Sequence, residues 1–148
     1  MVLSMTLACF CDNYLLAVFL AIELWRSPQN RDDAVCNRFL VSVYENCHRH
    51  RTVQYYAGEQ NLLPYYFSSI IRERSVKSAL QWISDVTMIF SRQYLECTEM
   101  SVKEIADRLC FPDQSAFCRF FKHHEGCTPS EFRAGNCPSI PKGGVIIG

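Results

Sequence analysis

Two cysteines and two histidines in the last third of the chain are residue types that bind transition metals. They are Cys118, His123, His124 and Cys127. Thiolate and imidazole groups at short separations along a chain are typical of zinc sites. The CxxC pair, which is the strongest zinc spacing, does not occur in the sequence. We therefore predict no metal and no other cofactor, and keep a zinc-dependent or thiol-based sensor as an alternative function.

The polar residues between Gln114 and Lys122 have side chains of the types that bind nucleic acids. Amide and guanidinium groups form paired hydrogen bonds with base edges, and cationic groups bind phosphate. Aromatic residues recur between them at helical spacing, which predicts a helix with one aromatic and one polar face. The aromatic face contains Phe117, Phe120 and Phe121, and the polar face contains Gln114, Ser115, Cys118, Arg119 and Lys122.

The composition is that of an ordinary globular protein. The chain has 148 residues, of which 49% are hydrophobic and 20% are charged, so it can bury a core. Lys and Arg number 15 and Asp and Glu also number 15. This balance excludes a strongly basic domain but not a local basic face. Glycine-rich phosphate loops, nucleophile elbows and paired carboxylates are absent from the sequence, so we predict that the protein is not an enzyme.

The nine cysteines are an odd count, which does not suit a disulfide framework. We interpret most of them as small buried apolar residues in a reducing compartment, and therefore predict a cytoplasmic location. The first 25 residues are largely apolar, but no Lys or Arg precedes Arg26, unlike in a signal peptide. The apolar run from Tyr14 to Ile22 is shorter than the about 20 residues of a transmembrane helix. We predict no membrane partner and interpret this segment as a helix that packs against a partner, with a membrane anchor as the less favoured alternative.

From Thr52 onward the sequence repeats itself. Residues 53–62 align with 102–111 at an offset of 49, and residues 67–72 align with 117–122 at an offset of 50. Each copy predicts a short helix, a tight turn, a second helix and the start of a third. Capping boxes at Ser101 and Thr128 open the first and third helices of the second copy. A short helix, a sharp turn and a helix with a polar outer face form a helix-turn-helix.

The second copy contains the stretch SVKEIADRLCFPDQSAFCRFFK at 101–122, followed by GCTPSEFR at 126–133. These residues resemble the signature of the AraC/XylS transcription regulators, and the resemblance continues more weakly back to Phe39. It implies an all-α fold in which a long linker helix joins two helix-turn-helix units of three helices each, preceded by two N-terminal helices. In the family, this unit usually follows a ligand-sensing β-barrel domain, which this sequence does not contain.

The resemblance also implies the organisation of the chain. Residues 1–50 are the helical tail of a sensor domain and candidate dimerisation helices, residues 51–135 are the DNA-binding domain, and residues 136–148 are predicted to be a disordered tail. A linker helix over 79–95 would span about 25 Å. The two recognition helices would then enter successive major grooves of promoter or operator DNA, about 34 Å apart. A homodimer and RNA polymerase are candidate further partners.

The resemblance also implies roles for individual residues in a sequence-specific DNA-binding regulator. In the second unit, Gln114, Ser115 and Arg119 are the predicted base-contacting residues, and Lys122 is predicted to bind phosphate. In the first unit, Tyr65, Ser68 and Ser69 match the base-contacting positions and Arg72 matches the phosphate-binding one. Tyr65 could pack on a thymine methyl or a sugar, or it could be an ordinary surface residue.

Several residues depart from the family pattern, mostly in the first unit. Cys110 and Asn61 stand where the turn normally has glycine at positive φ, and Val76 stands where the second unit has Gly126. In the first unit, Gln60 replaces a buried leucine, Gly58 weakens a helix, and Leu63 replaces a capping hydroxyl. We therefore predict that the first unit is the weaker DNA reader. The alternative function is a protein-interaction module that binds DNA poorly and sequesters a partner.

Overall fold

The computed structural model describes residues 29–137, and this part of the chain is all-α, as the sequence predicts. It contains seven helices. Their bounds are α1 Arg31–Asn46, α2 Val53–Glu59, α3 Pro64–Arg74, α4 Ala79–Cys97, α5 Val102–Arg108, α6 Gln114–Glu125 and α7 Pro129–Arg133. The predicted helix within residues 1–28 and the tail from 138 onward lie outside the described residues. None of the seven helices is long and apolar enough to span a membrane.

The chain divides into two compact units within α4, between Phe90 and Ser91. The first unit contains α1, α2, α3 and most of α4, and the second contains the end of α4 with α5, α6 and α7. The helix α4 is 19 residues long, which corresponds to about 28 Å. It therefore extends two residues beyond the predicted range of 79–95.

The core of the first unit is built around Phe39 of α1. Its ring makes edge-to-face contacts with Tyr56 and Phe67, at centroid distances of 5.5 and 5.2 Å. All three side chains are fully buried, as are Val43 and Ile71. The apolar face of α1 thus packs inside this unit, although the sequence placed residues 1–50 in a separate segment. The sequence signal was ambiguous because an amphipathic helix has the same pattern whether it packs within its chain or on a partner.

The core of the second unit is aromatic. Phe117 and Phe121 of α6 are fully buried together with Ile105, Ala106 and Leu109. Phe117 lies 5.3 Å from Phe111, and Phe121 lies 5.4 Å from Phe132 of α7, between ring centroids. These contacts fix the aromatic face of α6 inward, as its spacing predicts.

The predicted capping boxes are present. The Ser101 backbone N–H donates to the Glu104 carboxylate at 2.6 Å, and the Thr128 N–H donates to Glu131 at 2.8 Å. In return, the two hydroxyls accept from the backbone N–H groups of Glu104 and Glu131. Ser78 and Gln81 form the same arrangement before α4. The start of each of these helices is therefore set by local sequence.

The two capping carboxylates are expected to make stability depend on acidic pH. Backbone and hydroxyl donors lower the pKa of Glu104 and Glu131 from the ordinary 4.5. Their contribution to the free energy of unfolding is present above pH 4.5 and is lost as the pH falls through the lowered folded-state pKa. The Glu104→Gln/Glu131→Gln variant should show a shallower loss of stability below that pH in urea titrations. An unchanged pH profile would contradict this assignment.

The short helix α2 contains a glycine at a position where neither the backbone conformation nor the surrounding space requires one. Gly58 is exposed, its φ is not positive, and an added Cβ would meet nothing within 4 Å. Gly58→Ala is therefore expected to raise the free energy of unfolding by about 0.5–1 kcal/mol. Gly135→Ala is the matched control, because Gly135 has similar space but a φ of +75°. Urea midpoints should rise for the first variant and fall for the second, and a gain in both would contradict the backbone argument.

The cysteines differ from the prediction in two respects. Cys110 is exposed, whereas Cys36 and Cys47 are buried; burial raises the pKa of the Cys47 thiol to about 11. Cys127 and Cys137 form a disulfide, which the odd cysteine count did not suggest. Cys137 also lies in the tail that was predicted to be disordered from residue 136. Residues 136 and 137 are held by this bond and by the Asn136 N–H, which donates to the Glu131 carbonyl at 2.9 Å.

Candidate nucleic-acid interface

The turns inside the two helix-turn-helix units have the same backbone geometry. Asn61 and Cys110 both have φ of +54°. The residue after each turn position donates back to the preceding helix: Leu62 N–H to the Ala57 carbonyl, and Phe111 N–H to the Ala106 carbonyl, both at 2.9 Å. The positive φ predicted for these non-glycine residues is thus confirmed, and the two turns match at an offset of 49 residues.

Cys110→Gly is expected to stabilise the second unit. A side chain in the left-handed region destabilises the folded state by about 1–2 kcal/mol. Glycine removes this strain but raises the conformational entropy of the unfolded chain, which offsets about 0.4–1 kcal/mol of the gain. We expect a net gain of about 0.5–1 kcal/mol in the free energy of unfolding. Asn61→Gly is the control and should be close to neutral, because asparagine tolerates this conformation. Equal gains at both positions would show that backbone strain at Cys110 is not the cause.

The recognition helix of the second unit, α6, presents the predicted polar face outward. Gln114, Ser115, Arg119 and Lys122 are exposed, whereas Phe117 and Phe121 on the opposite face are fully buried. Cys118 is half-buried between the two faces, and burial raises the pKa of its thiol. The Asp113 side chain accepts from the Ala116 N–H at 2.7 Å and caps the helix. The four polar residues therefore lie together on one exposed side of a short, well-anchored helix.

Among the described residues, the cations of this face take part in no salt bridge, although the charge of Lys122 helps to lower the pKa of Glu131. Glu125, the acidic residue at the end of α6, is held by Arg92 of α4 at 2.5 Å. In the first unit, Arg74 contacts Asp32 and Asp33, and Lys77 pairs with Asp85. Across residues 29–137, Arg119 and Lys122 form no ion pair. A chain with no net charge can therefore still present local positive charge on α6.

The recognition helix of the first unit, α3, has a less polar surface. Tyr65 is 89% exposed and Arg72 is also exposed. Ser68 and Ser69 are half-buried, and the Ser69 hydroxyl donates to the Tyr66 carbonyl at 2.8 Å. The structure thus brings the four predicted residues onto one helix, but the two serines are less accessible than the base-facing residues of α6.

The two recognition helices end differently, as expected from Val76. The helix α6 ends at Gly126 with φ of +90°, in a left-handed cap. The helix α3 ends at Ser75 in extended conformation, and the Ser75 hydroxyl accepts from Trp82 Nε1 at 2.9 Å. Val76 is 97% exposed and avoids positive φ. A serine-centred cap therefore replaces the glycine cap in the first unit.

Comparison with known proteins shows the family to which the chain belongs. A family model described as a helix-turn-helix domain matches residues 56–135, more than half of the chain. The chain belongs to the AraC/XylS family. Among curated relatives, the E. coli (strain K12) HTH-type transcriptional regulator YpdC is 28% identical over 108 residues, covering 73% of this chain. The arabinose operon regulatory protein of the same organism is 35% identical over 74 residues, covering 50% of this chain. The chain spans 38% of the length of the first relative and 25% of the second.

Two solved structures share the fold. The C-terminal domain of AraT, a response regulator from Geobacillus stearothermophilus, superposes with a TM-score of 0.67 at 23% identity, covering 76% of this chain and 93% of that one. The DNA-binding domain of AdpA, solved in complex with a target DNA, gives a TM-score of 0.62 at 23% identity, covering 68% and 90%. The family consists of transcription regulators and not of enzymes.

The residues considered for a zinc site do not form one. Cys127 is bonded to Cys137, so it offers no thiolate. Within residues 29–137, no three His, Cys, Asp or Glu side chains are grouped so that they could hold a metal ion. His124 instead packs against Phe120, with ring centroids 4.5 Å apart. A disulfide and a ring contact therefore account for Cys127 and His124.

Sequence reasoning missed two features of the first unit. His50 stacks on Tyr55 at a centroid distance of 3.8 Å, and its carbonyl accepts from the Tyr56 hydroxyl at 2.6 Å. His50 lies in the connection between α1, which ends at Asn46, and α2, which begins at Val53. Gln60, which replaces a buried leucine, donates to the Val35 carbonyl at 3.1 Å. The aromatic pair at 55–56 was the available signal for the first contact, whereas the second depends on tertiary packing.

Proposed function

We propose that this chain is a sequence-specific DNA-binding transcription regulator, or the DNA-binding part of one. The observation that carries the proposal is the exposed polar side of α6, where Gln114, Ser115, Arg119 and Lys122 lie opposite the buried phenylalanines. Family membership supports it. Arg119 has the reach and fork to bind guanine, and Gln114 has the paired donor and acceptor for adenine. Ser115 contacts a base edge, and Lys122 binds phosphate.

The first unit contributes a second recognition helix. In this proposal Tyr65, Ser68 and Ser69 contact bases and Arg72 binds phosphate. The two units enter successive major grooves on one face of the duplex, about 34 Å apart. The duplicated turn geometry, with φ of +54° at both Asn61 and Cys110, supports a DNA-reading role for the first unit as well.

Partners beyond DNA are a further part of the proposal. Residues 1–28 lie outside the described residues, while the apolar face of α1 is buried in the first unit. In this proposal a homodimer forms through the N-terminal helical segment, residues 1–50, in which α1 exposes Val41 and Tyr44. RNA polymerase is the expected partner at a promoter, and the cytoplasm is the compartment where bacterial promoters are found.

The test is a selection of bound duplexes from a random DNA pool, at low and at physiological salt. We expect an enriched motif with two half-elements about one helical turn apart. Arg119→Ala, which changes an exposed residue, is the control and should lose enrichment at one position of one half-element. A single half-element would restrict DNA reading to the second unit. No enrichment with either protein would overturn the proposal and favour the interaction module, which the zero net charge of the chain also suits.

A further inference from the structure

The two recognition helices can be aligned residue by residue from their buried faces. Phe67 and Phe117 are both fully buried, and so are Ile71 and Phe121, each pair at an offset of 50 residues. Tyr65 therefore occupies the position of Ser115, and Ser69 occupies the position of Arg119. Because Arg119 is a predicted base reader, the chemistry at the matching positions of α3 determines what the first unit can read.

The exposed start of α3 is mainly apolar, and the hydroxyls of Tyr65 and Tyr66 are its polar side-chain groups. Leu63 is 77% exposed and makes no capping hydrogen bond, Pro64 is the first residue of the helix, and Tyr65 is 89% exposed. Tyr66 is also exposed, at 48%. These four consecutive residues contain no amide, guanidinium or carboxylate side chain. Their surface is continuous with the proposed DNA interface, because it begins the same helix that carries Ser68, Ser69 and Arg72.

The serines of α3 have short side chains, so they extend less far toward base edges than Arg119 does on α6. Ser69 is half-buried, and its only hydroxyl proton is donated to the Tyr66 carbonyl at 2.8 Å. Ser68 is half-buried as well. Neither side chain has the length of the guanidinium that the second unit presents at the matching position. Hydrogen-bonded readout of bases is thus concentrated in α6, and α3 retains mainly apolar contact.

In the major groove, the thymine C5-methyl is the apolar group that a base pair presents. An apolar side chain against guanine or cytosine would leave base donors or acceptors without water or a partner, which is unfavourable. We infer that the first unit reads thymine methyl groups chiefly through Tyr65, with Leu63 and Pro64 beside it. The operator would then consist of a thymine-specified half-element for α3 and a hydrogen-bonded half-element for α6. This inference rests on the proposed function and specifies the DNA sequence class of the same interface.

The test replaces single thymines by deoxyuridine, which lacks only the methyl group. The duplex is the one enriched by the selection, and dissociation constants are measured by fluorescence anisotropy. At one or two thymines in the first half-element, we expect binding to weaken about fourfold, the equivalent of about 0.8 kcal/mol for one buried methyl. In Tyr65→Ala, the same replacements should have a much smaller effect. Tyr65→Phe should keep the full sensitivity, because it removes only the hydroxyl.

The outcomes separate this inference from the proposed function. A two-part motif whose first half-element tolerates deoxyuridine at every thymine, or contains no thymine, would overturn the inference and leave the proposed function intact. The inference is also overturned, with the proposed function intact, if the deoxyuridine effect persists in Tyr65→Ala or disappears in Tyr65→Phe. A motif without a first half-element would overturn the inference while α6 still reads DNA. Absence of any motif would overturn both.

Discussion

Arg119→Ala is expected to weaken binding to the selected duplex by about 1–3 kcal/mol and to relax preference at one base pair. The guanidinium is exposed on α6 and forms no ion pair among residues 29–137, so its forked donors are available for a guanine edge. Its removal should leave the fold intact, since the helix is held by Phe117 and Phe121. The measurement compares dissociation constants on the selected duplex with those on duplexes changed at single positions.

Lys122→Ala is the matched control for Arg119→Ala, because it removes a cation one turn further along the same exposed face. It should lower the salt dependence, the slope of log K against log salt, by about 0.9 while leaving base preference unchanged. If Arg119→Ala instead weakened all DNA sequences equally, Arg119 would be a phosphate contact and not a base reader.

The second large effect is expected in the aromatic core. Phe117→Ala should lower the free energy of unfolding by about 3–5 kcal/mol. Phe117 is fully buried and contacts the rings of Phe111 and Phe121 at 5.3 and 6.0 Å. Since a domain of this kind has only about 5–15 kcal/mol of stability in total, DNA binding by α6 should be lost at elevated temperature. Urea unfolding followed by circular dichroism measures the change.

Phe120→Ala provides the comparison on the same helix. Phe120 is half-buried and packs between Phe111 and His124, at 5.3 and 4.5 Å. Its truncation should cost clearly less than that of Phe117, because less area is removed from the core. Equal losses for the two variants would mean that burial of the i, i+4 pair Phe117 and Phe121 does not organise this unit.

Local features of the fold were predictable because local sequence determines them. The capping boxes at Ser101 and Thr128 depend on residues three positions apart, and the positive φ of Cys110 follows from its place in the turn. The exposed position of Gln114, Ser115, Arg119 and Lys122 follows from the helical spacing of the phenylalanines. For these reasons, the second recognition helix and its polar face could be assigned from the sequence.

Features that depend on tertiary context were not predictable in the same way. The apolar face of α1 packs on α2 and α3 of its own unit, but its periodicity fits a dimer interface equally well. The Cys127–Cys137 bond joins a residue before α7 to one in the predicted tail, and cysteine count alone does not give pairings. The serine-centred end of α3 depends on Trp82, which approaches from α4. Each of these contacts joins segments whose proximity is set by the fold.

The central claim, that two joined units read one face of the duplex, is tested most directly by changing the spacing of the selected half-elements. Inserting about 5 base pairs, half a helical turn, places the half-elements on opposite faces of the duplex. We predict that binding then falls to the affinity of the stronger half-element alone, and that Tyr65→Ala no longer has an effect. Affinity unchanged by the half-turn insertion would contradict simultaneous binding by the two units.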